Sequence, residues 1–135
     1  MSFDWIKYLE LAKVLSAAIN DEASLRSAVS RSYYCAYNLA MSRATANSYR
    51  LPDDGNSHDN LWALYARNTD VGCKKLSLVG PRLKRRRVKA DYRSDYYRLS
   101  EEVKDAIAEA EECVALINSL PKNLPIDLPR TFTIH

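Results

Sequence analysis

The stretch EEVKDAIAEAEECVALINSL, Glu101–Leu120, decides the fold class. Wound as an α-helix, it gathers Val103, Ile107, Ala110, Val114 and Ile117 on one face. Glu102, Asp105, Glu109 and Glu112 fall off that face, and Ser100 stands in the capping position. A helix with one apolar stripe is stable only when the stripe is buried against a neighbouring element. The rest of the chain supplies helices for that purpose.

Upstream, SFDWIKYLELAKVLSAAI (Ser2–Ile19) repeats apolar residues at Trp5, Tyr8, Ala12, Leu15 and Ile19, with Ser2 as cap and Asp4 in the first turn. Asn20 or Asp21 caps a longer helix over 20–46, whose stripe is Leu25, Val29, Ser32/Tyr33, Ala36 and Ala40. NSYRLPDDGNS, 47–57, is dense in turn residues and reads as a loop. A third helix follows over 57–68, capped by Ser57. TDVGCKKLSLVG, 69–80, is ambiguous between a broken helix and a helix followed by a loop. Pro81 suits the first position of a basic helix. The expectation is an all-α, antiparallel bundle of four to five helices over 1–120. Residues 121–135, with three prolines, are expected to form an extended tail.

Composition bounds the function. The 135 residues suffice for one domain, and 47% hydrophobic with 27% charged residues is ordinary for a soluble chain. Three widely spaced cysteines, Cys35, Cys73 and Cys113, make neither a disulfide framework nor a paired-cysteine metal site. No apolar run approaches the ~20 residues of a membrane span, and the N-terminus lacks signal-peptide organisation. The reading is a cytoplasmic protein without metal or cofactor. Net charge is +3, unevenly placed: 82–93 carries net +6 and 101–112 net −5. That asymmetry suits an anionic partner, or self-association of a basic face with an acidic one.

Within GPRLKRRRVKADYR, Gly80–Arg93, helical winding puts Arg82, Arg85, Arg86, Lys89 and Arg93 in one basic stripe. The stripe is either a solvated face or an anion-binding one. Leu83 and Ala90 share another, core-facing side. Arg87 projects near Leu83, with Asp91 one turn on and within ion-pair reach. An inward charge is costly unless paired, so Arg87 is either a structural clamp or a site residue.

Four segments together resemble the HEPN superfamily: LRSAVSRSYYCAYNLA (Leu25–Ala40), SHDNLW (Ser57–Trp62), RRVKADY (Arg86–Tyr92) and LSEEVKDAIAEAEECVALI (Leu99–Ile117). The likeness is to small members whose second helix carries S-R-x-Y-Y-x-x-Y/F, here Ser30 to Tyr37, and whose fourth carries R-N-x-A-D-Y, here Arg87 to Tyr92. The resemblance implies a helical bundle, usually a homodimer with the motif lining a cleft between protomers. It implies either a metal-independent endoribonuclease or a non-catalytic module that binds RNA, a nucleotide or a nucleotidyltransferase partner. Toxin–antitoxin and antiviral defence systems are the setting it suggests.

The catalytic signature of that family is an Arg, four to six intervening residues, then a His. Here Arg87 is followed by Tyr92 in that window, and the chain's two histidines are His58 and His135. Ribonuclease chemistry needs a base for the 2′-hydroxyl and a cation for the phosphorane. Arg87 supplies the cation. A tyrosine with an ordinary pKa of ~10 is ionised in about one part in a thousand at neutral pH. Asp91 is a poor base beside Arg87 and Lys89, whose charges favour the carboxylate. The catalytic candidates are therefore Arg87, Tyr92 and Asp91, with His58 able to reach the cleft from a neighbouring helix start or from the second protomer. His135, in the tail, is assigned no role.

Arg31, with Cys35 and Asn38 on its side of the second helix, is a further phosphate-binding candidate, or else extends to solvent or pairs with the acidic last helix. Tyr33, Tyr34 and Tyr37 either stack on bases or fill the core and dimer interface. The leading expectation is a HEPN-like RNA- or nucleotide-phosphate-binding module with a degenerate nuclease motif. The alternatives are an active endoribonuclease using Arg87, and a non-catalytic structural partner of another defence protein.

Overall fold

The computed structural model describes residues 2–18 and 21–124. Five helices follow one another: α1 Ile6–Ala18, α2 Glu22–Ala46, α3 Ser57–Ala66, α4 Val71–Tyr92 and α5 Leu99–Asn118. Long α2 is the central element and packs against α1, α4 and α5, while α3 covers α4. The all-α bundle expected from the sequence is what forms. The apolar stripes meet in one core, in which Tyr33, Tyr65, Leu61, Leu64, Leu76 and Leu83 are fully buried.

Capping chemistry sets where the helices begin. Asp4, not Ser2, opens α1, accepting from the Ile6 amide at 3.1 Å. Asp21 caps α2 by accepting from Ser24 N–H at 2.8 Å, and Asp70 caps α4 by accepting from Cys73 N–H at 3.1 Å. Two further expected caps are displaced, by one and two residues. Asn56 precedes α3 without a side-chain bond, and Ser57 instead accepts from the Tyr37 hydroxyl at 3.1 Å. Arg98, in the left-handed region at φ 60°, precedes α5 in place of Ser100.

The ambiguous segment 69–80 is continuous helix. Pro81 lies inside α4 instead of opening it. Local propensity argues against this, since proline removes a helix hydrogen bond. Packing overrides it: Gly80 lies so close to Trp62 of α3 that a Cβ would stand 2.6 Å from Trp62 Cδ2. The glycine before the proline is the flat spot on which the indole sits.

Opposite charges on α4 and α5 pair within the chain. Glu109, expected off the apolar face, is buried and accepts from Arg86 Nε at 2.8 Å; Glu102 accepts from Arg86 Nη1 at 2.5 Å. Arg82 reaches Glu109 at 3.5 Å. Burial of Glu102 works against its charge, but hydrogen bonds from Arg86 and Tyr96 prevail and hold its carboxyl below the usual range. Lys84 ties α4 to α3 through Asp59 at 2.8 Å.

The chain after α5 turns back on the loop after α2, where Leu124 is buried and its amide donates to Asn47 Oδ1 at 3.0 Å. The remainder of the tail, including His135, lies outside the described residues. No helix among the described residues is long and apolar enough to cross a membrane.

Candidate functional site

Arg87 is the centre of the site. Its position on α4 turns it inward beside Leu83 and Ala90, and only 7% of its surface is exposed. Its one polar contact among the described residues is Nη1 to Asp91 Oδ2 at 3.4 Å, and its buried Nε has no partner. Guanidinium offers five N–H donors, and buried polar groups are almost always satisfied. Aromatic faces take part of the charge instead. The guanidinium carbon lies 5.5 Å from the Tyr33 ring centroid, 5.4 Å from that of Tyr34 and 5.9 Å from that of Tyr92.

Asp91 also accepts from the Ser30 hydroxyl of α2 at 3.3 Å. Ser30 is therefore a site residue that the sequence motif contained without assigning it a role. Tyr92 is 76% exposed and borders Arg87 only through its ring.

His58 belongs to the same cluster although it sits on α3. Trp62 Nε1–H donates to the Tyr33 hydroxyl at 3.2 Å, and that hydroxyl stands 2.7 Å from His58 Nδ1. The His58 ring stacks on Tyr37, centroids 4.2 Å apart. Burial lowers the His58 pKa, and the charges of Arg87 and Lys84 lower it further against the opposing pull of Asp59. The imidazole is thus neutral at neutral pH. Burial pushes the Tyr33 phenol well above the usual tyrosine range, so it keeps its proton. Tyr33 is fully buried and, among the described residues, Nδ1 is the acceptor within reach of its hydroxyl, so Tyr33 O–H donates to Nδ1 and the imidazole proton sits on Nε2. In that tautomer the outer nitrogen is a hydrogen-bond donor rather than a base. No signal in the linear motif could have joined His58 to Arg87, because the link runs through Tyr33 of a third helix.

The other basic residues separate by environment. Arg86 is committed to Glu102 and Glu109, whereas Arg82, Arg85, Lys89 and Arg93 are exposed. Arg31 leaves the acidic α5 alone and lies over Tyr8 at 4.5 Å and Tyr34 at 5.4 Å, with no carboxylate partner among the described residues. Arg26, which sequence reading passed over, holds the end of α4. Its Nη1 donates to Ala90 O at 3.0 Å and Arg93 O at 2.5 Å, and its Nη2 to Ser94 O at 3.0 Å. The Ala90 and Arg93 carbonyls are among those that a helix end leaves without intrahelical partners, and Ser94 follows the cap. Arg26 thereby fixes the turn that carries Asp91 and Tyr92.

The cysteines are all buried, and among the described residues no group of three or more His, Cys, Asp or Glu side chains is placed to hold a metal ion. No family model, curated protein or solved structure shows a significant match to this chain.

Proposed function

We propose that this chain is a HEPN-like module that binds the phosphate of RNA or of a nucleotide, with Arg87 as the phosphate-binding centre. One observation carries the reading: an arginine 93% removed from solvent whose Nε–H has no acceptor and whose single ion pair is long. A phosphate oxygen supplies what Asp91 alone, at 3.4 Å, does not. His58, neutral with its proton on the outer nitrogen, adds a second donor. Arg82, Arg85, Lys89 and Arg93 provide the exposed positive field that draws a polyanion to the face.

The second reading, a metal-independent endoribonuclease, is favoured by the gathering of His58 and Arg87 around Tyr33. The Nε2–H tautomer opposes it, since cleavage needs an open base. Incubation of end-labelled RNA with the wild type and with Arg87→Met, in EDTA, tests both. Met preserves the aliphatic packing of the arginine stem while removing its charge. The expected outcome is intact RNA in every lane, with binding by the wild type that weakens steeply with salt and is lost in the variant. Cleavage that vanishes in Arg87→Met would establish the enzyme instead. Equal binding by both proteins would refute the role of Arg87.

A further inference from the structure

We infer that the groove between the start of α1 and the middle of α2 is a nucleobase subsite adjoining Arg87. The inference rests on the phosphate-binding reading above. Trp5, Tyr8, Arg31, Tyr34, Tyr37 and Asn38 line this groove, and every one of them is half-buried, neither core nor free surface. Its volume, about 270 Å³, is of the order of one flat heterocycle with its surrounding space.

The groove walls are aromatic. Trp5 meets Tyr8 edge-on at 5.3 Å, and Tyr34 meets Tyr37 edge-on at 6.2 Å. Aromatic side chains of a packed core are buried; these four are only half-buried, and partly exposed aromatics are what proteins use to stack the bases of single strands. Arg31 stands over Tyr8 and Tyr34 without a carboxylate among the described residues, so its charge remains available to a second phosphate or to a base face. Asn38 commits its amide nitrogen to Tyr34 O at 2.8 Å, leaving its carbonyl oxygen as the acceptor for a base edge.

Tyr34 makes the groove and the Arg87 centre one surface. Arg31 and Arg87 each lie 5.4 Å from its ring centroid, so the two cations are separated by at most twice that distance. Tyr37 extends the same surface to His58. A single strand running from groove to centre places a base on the aromatic walls and a neighbouring phosphate on Arg87. The occupant is therefore a single-stranded RNA segment with an unpaired base, not a bare phosphate.

The test compares a short oligoadenylate RNA with an abasic ribose–phosphate strand of the same length, each titrated into the full chain. Trp62 is buried at 3% exposure, so quenching of tryptophan emission reports Trp5. The expected result is about 5- to 150-fold tighter binding of the oligoadenylate, the range of one stacked base, accompanied by quenching. Trp5→Leu should remove most of that difference and Trp5→Phe should restore part of it. Equal binding of the two strands by the wild type, both lost in Arg87→Met, would overturn the base subsite while leaving the phosphate centre standing. Binding of neither strand would overturn both. If Trp5→Leu leaves RNA affinity unchanged but alters the oligomeric state, the groove is a protein-contact surface and the inference fails.

Discussion

The Tyr33 hydroxyl of α2 stands 2.7 Å from Nδ1 of His58 on α3, with the Trp62 indole donating to the same oxygen from the other helix turn. This relay turns a surface histidine into a fixed, neutral member of the Arg87 cluster. It also makes the fold sensitive to acid at one place.

An unfolded histidine titrates near ~6.5. Folded His58 takes its proton at lower pH, because burial first, then Arg87 and Lys84, disfavour the imidazolium. Between those two values the unfolded chain binds more protons, so stability is full above ~6.5 and declines as pH falls below it. Thermal melts from pH 7.5 to 5.5 should show this decline, and His58→Gln should flatten it. Glu102, with its depressed value, loses its contribution only as pH falls further. A wild-type profile that stays flat to pH 5.5 would contradict the assignment of His58.

Arg26→Ala should loosen the end of α4 by removing donors from four backbone carbonyls. A charged donor is worth about 1.5–3 kcal/mol, and the loss should appear as faster amide exchange in 90–94. Arg26→Lys should not rescue it, since an ammonium cannot reproduce the guanidinium fork.

Gly80→Ala should destabilise, although alanine in a helix interior ordinarily gains about 1 kcal/mol over glycine. The added methyl would fall 2.6 Å from Trp62 Cδ2, inside a ring packed at 3% exposure. Overpacking of this kind costs about 1–3 kcal/mol, so urea denaturation should show a net loss. A stabilised variant would mean that α3 can move away from α4.

Two neighbouring arginines should behave oppositely. Arg86→Ala leaves Glu109 buried without its principal partner and should lower the unfolding midpoint. Arg85→Ala, on the exposed face, should leave the midpoint unchanged and reduce the salt dependence of RNA binding by about one unit of slope. Identical behaviour of the two variants would undo the division of the basic stripe.

The buried thiols should resist modification. Burial pushes Cys35 up to about 11 and Cys73 up to about 12, and raises Cys113 as well. At pH 8 a thiol reagent should label none of the three in the folded chain and all three in denaturant.

The helical class was legible in the linear chain, because Val103, Ile107, Ala110, Val114 and Ile117 repeat at the helical period over a long amphipathic segment. The sequence also determined that Arg87 points inward with Asp91 beside it, since winding one helix fixes which side chains share a face. The remaining features depend on contacts between helices. Pro81 sits inside α4 next to Gly80, where Trp62 of α3 packs, a contact between helices that local propensity does not register. Arg86 left the basic stripe because α5 brings Glu102 and Glu109 to it, and Glu109 is buried for the same reason. His58 and Arg31 joined the surface around Arg87 through Tyr33 and Tyr34, whose rings mediate between residues far apart in the chain. Periodicity reports the face of one helix; the partner on that face is set by how the helices pack against each other.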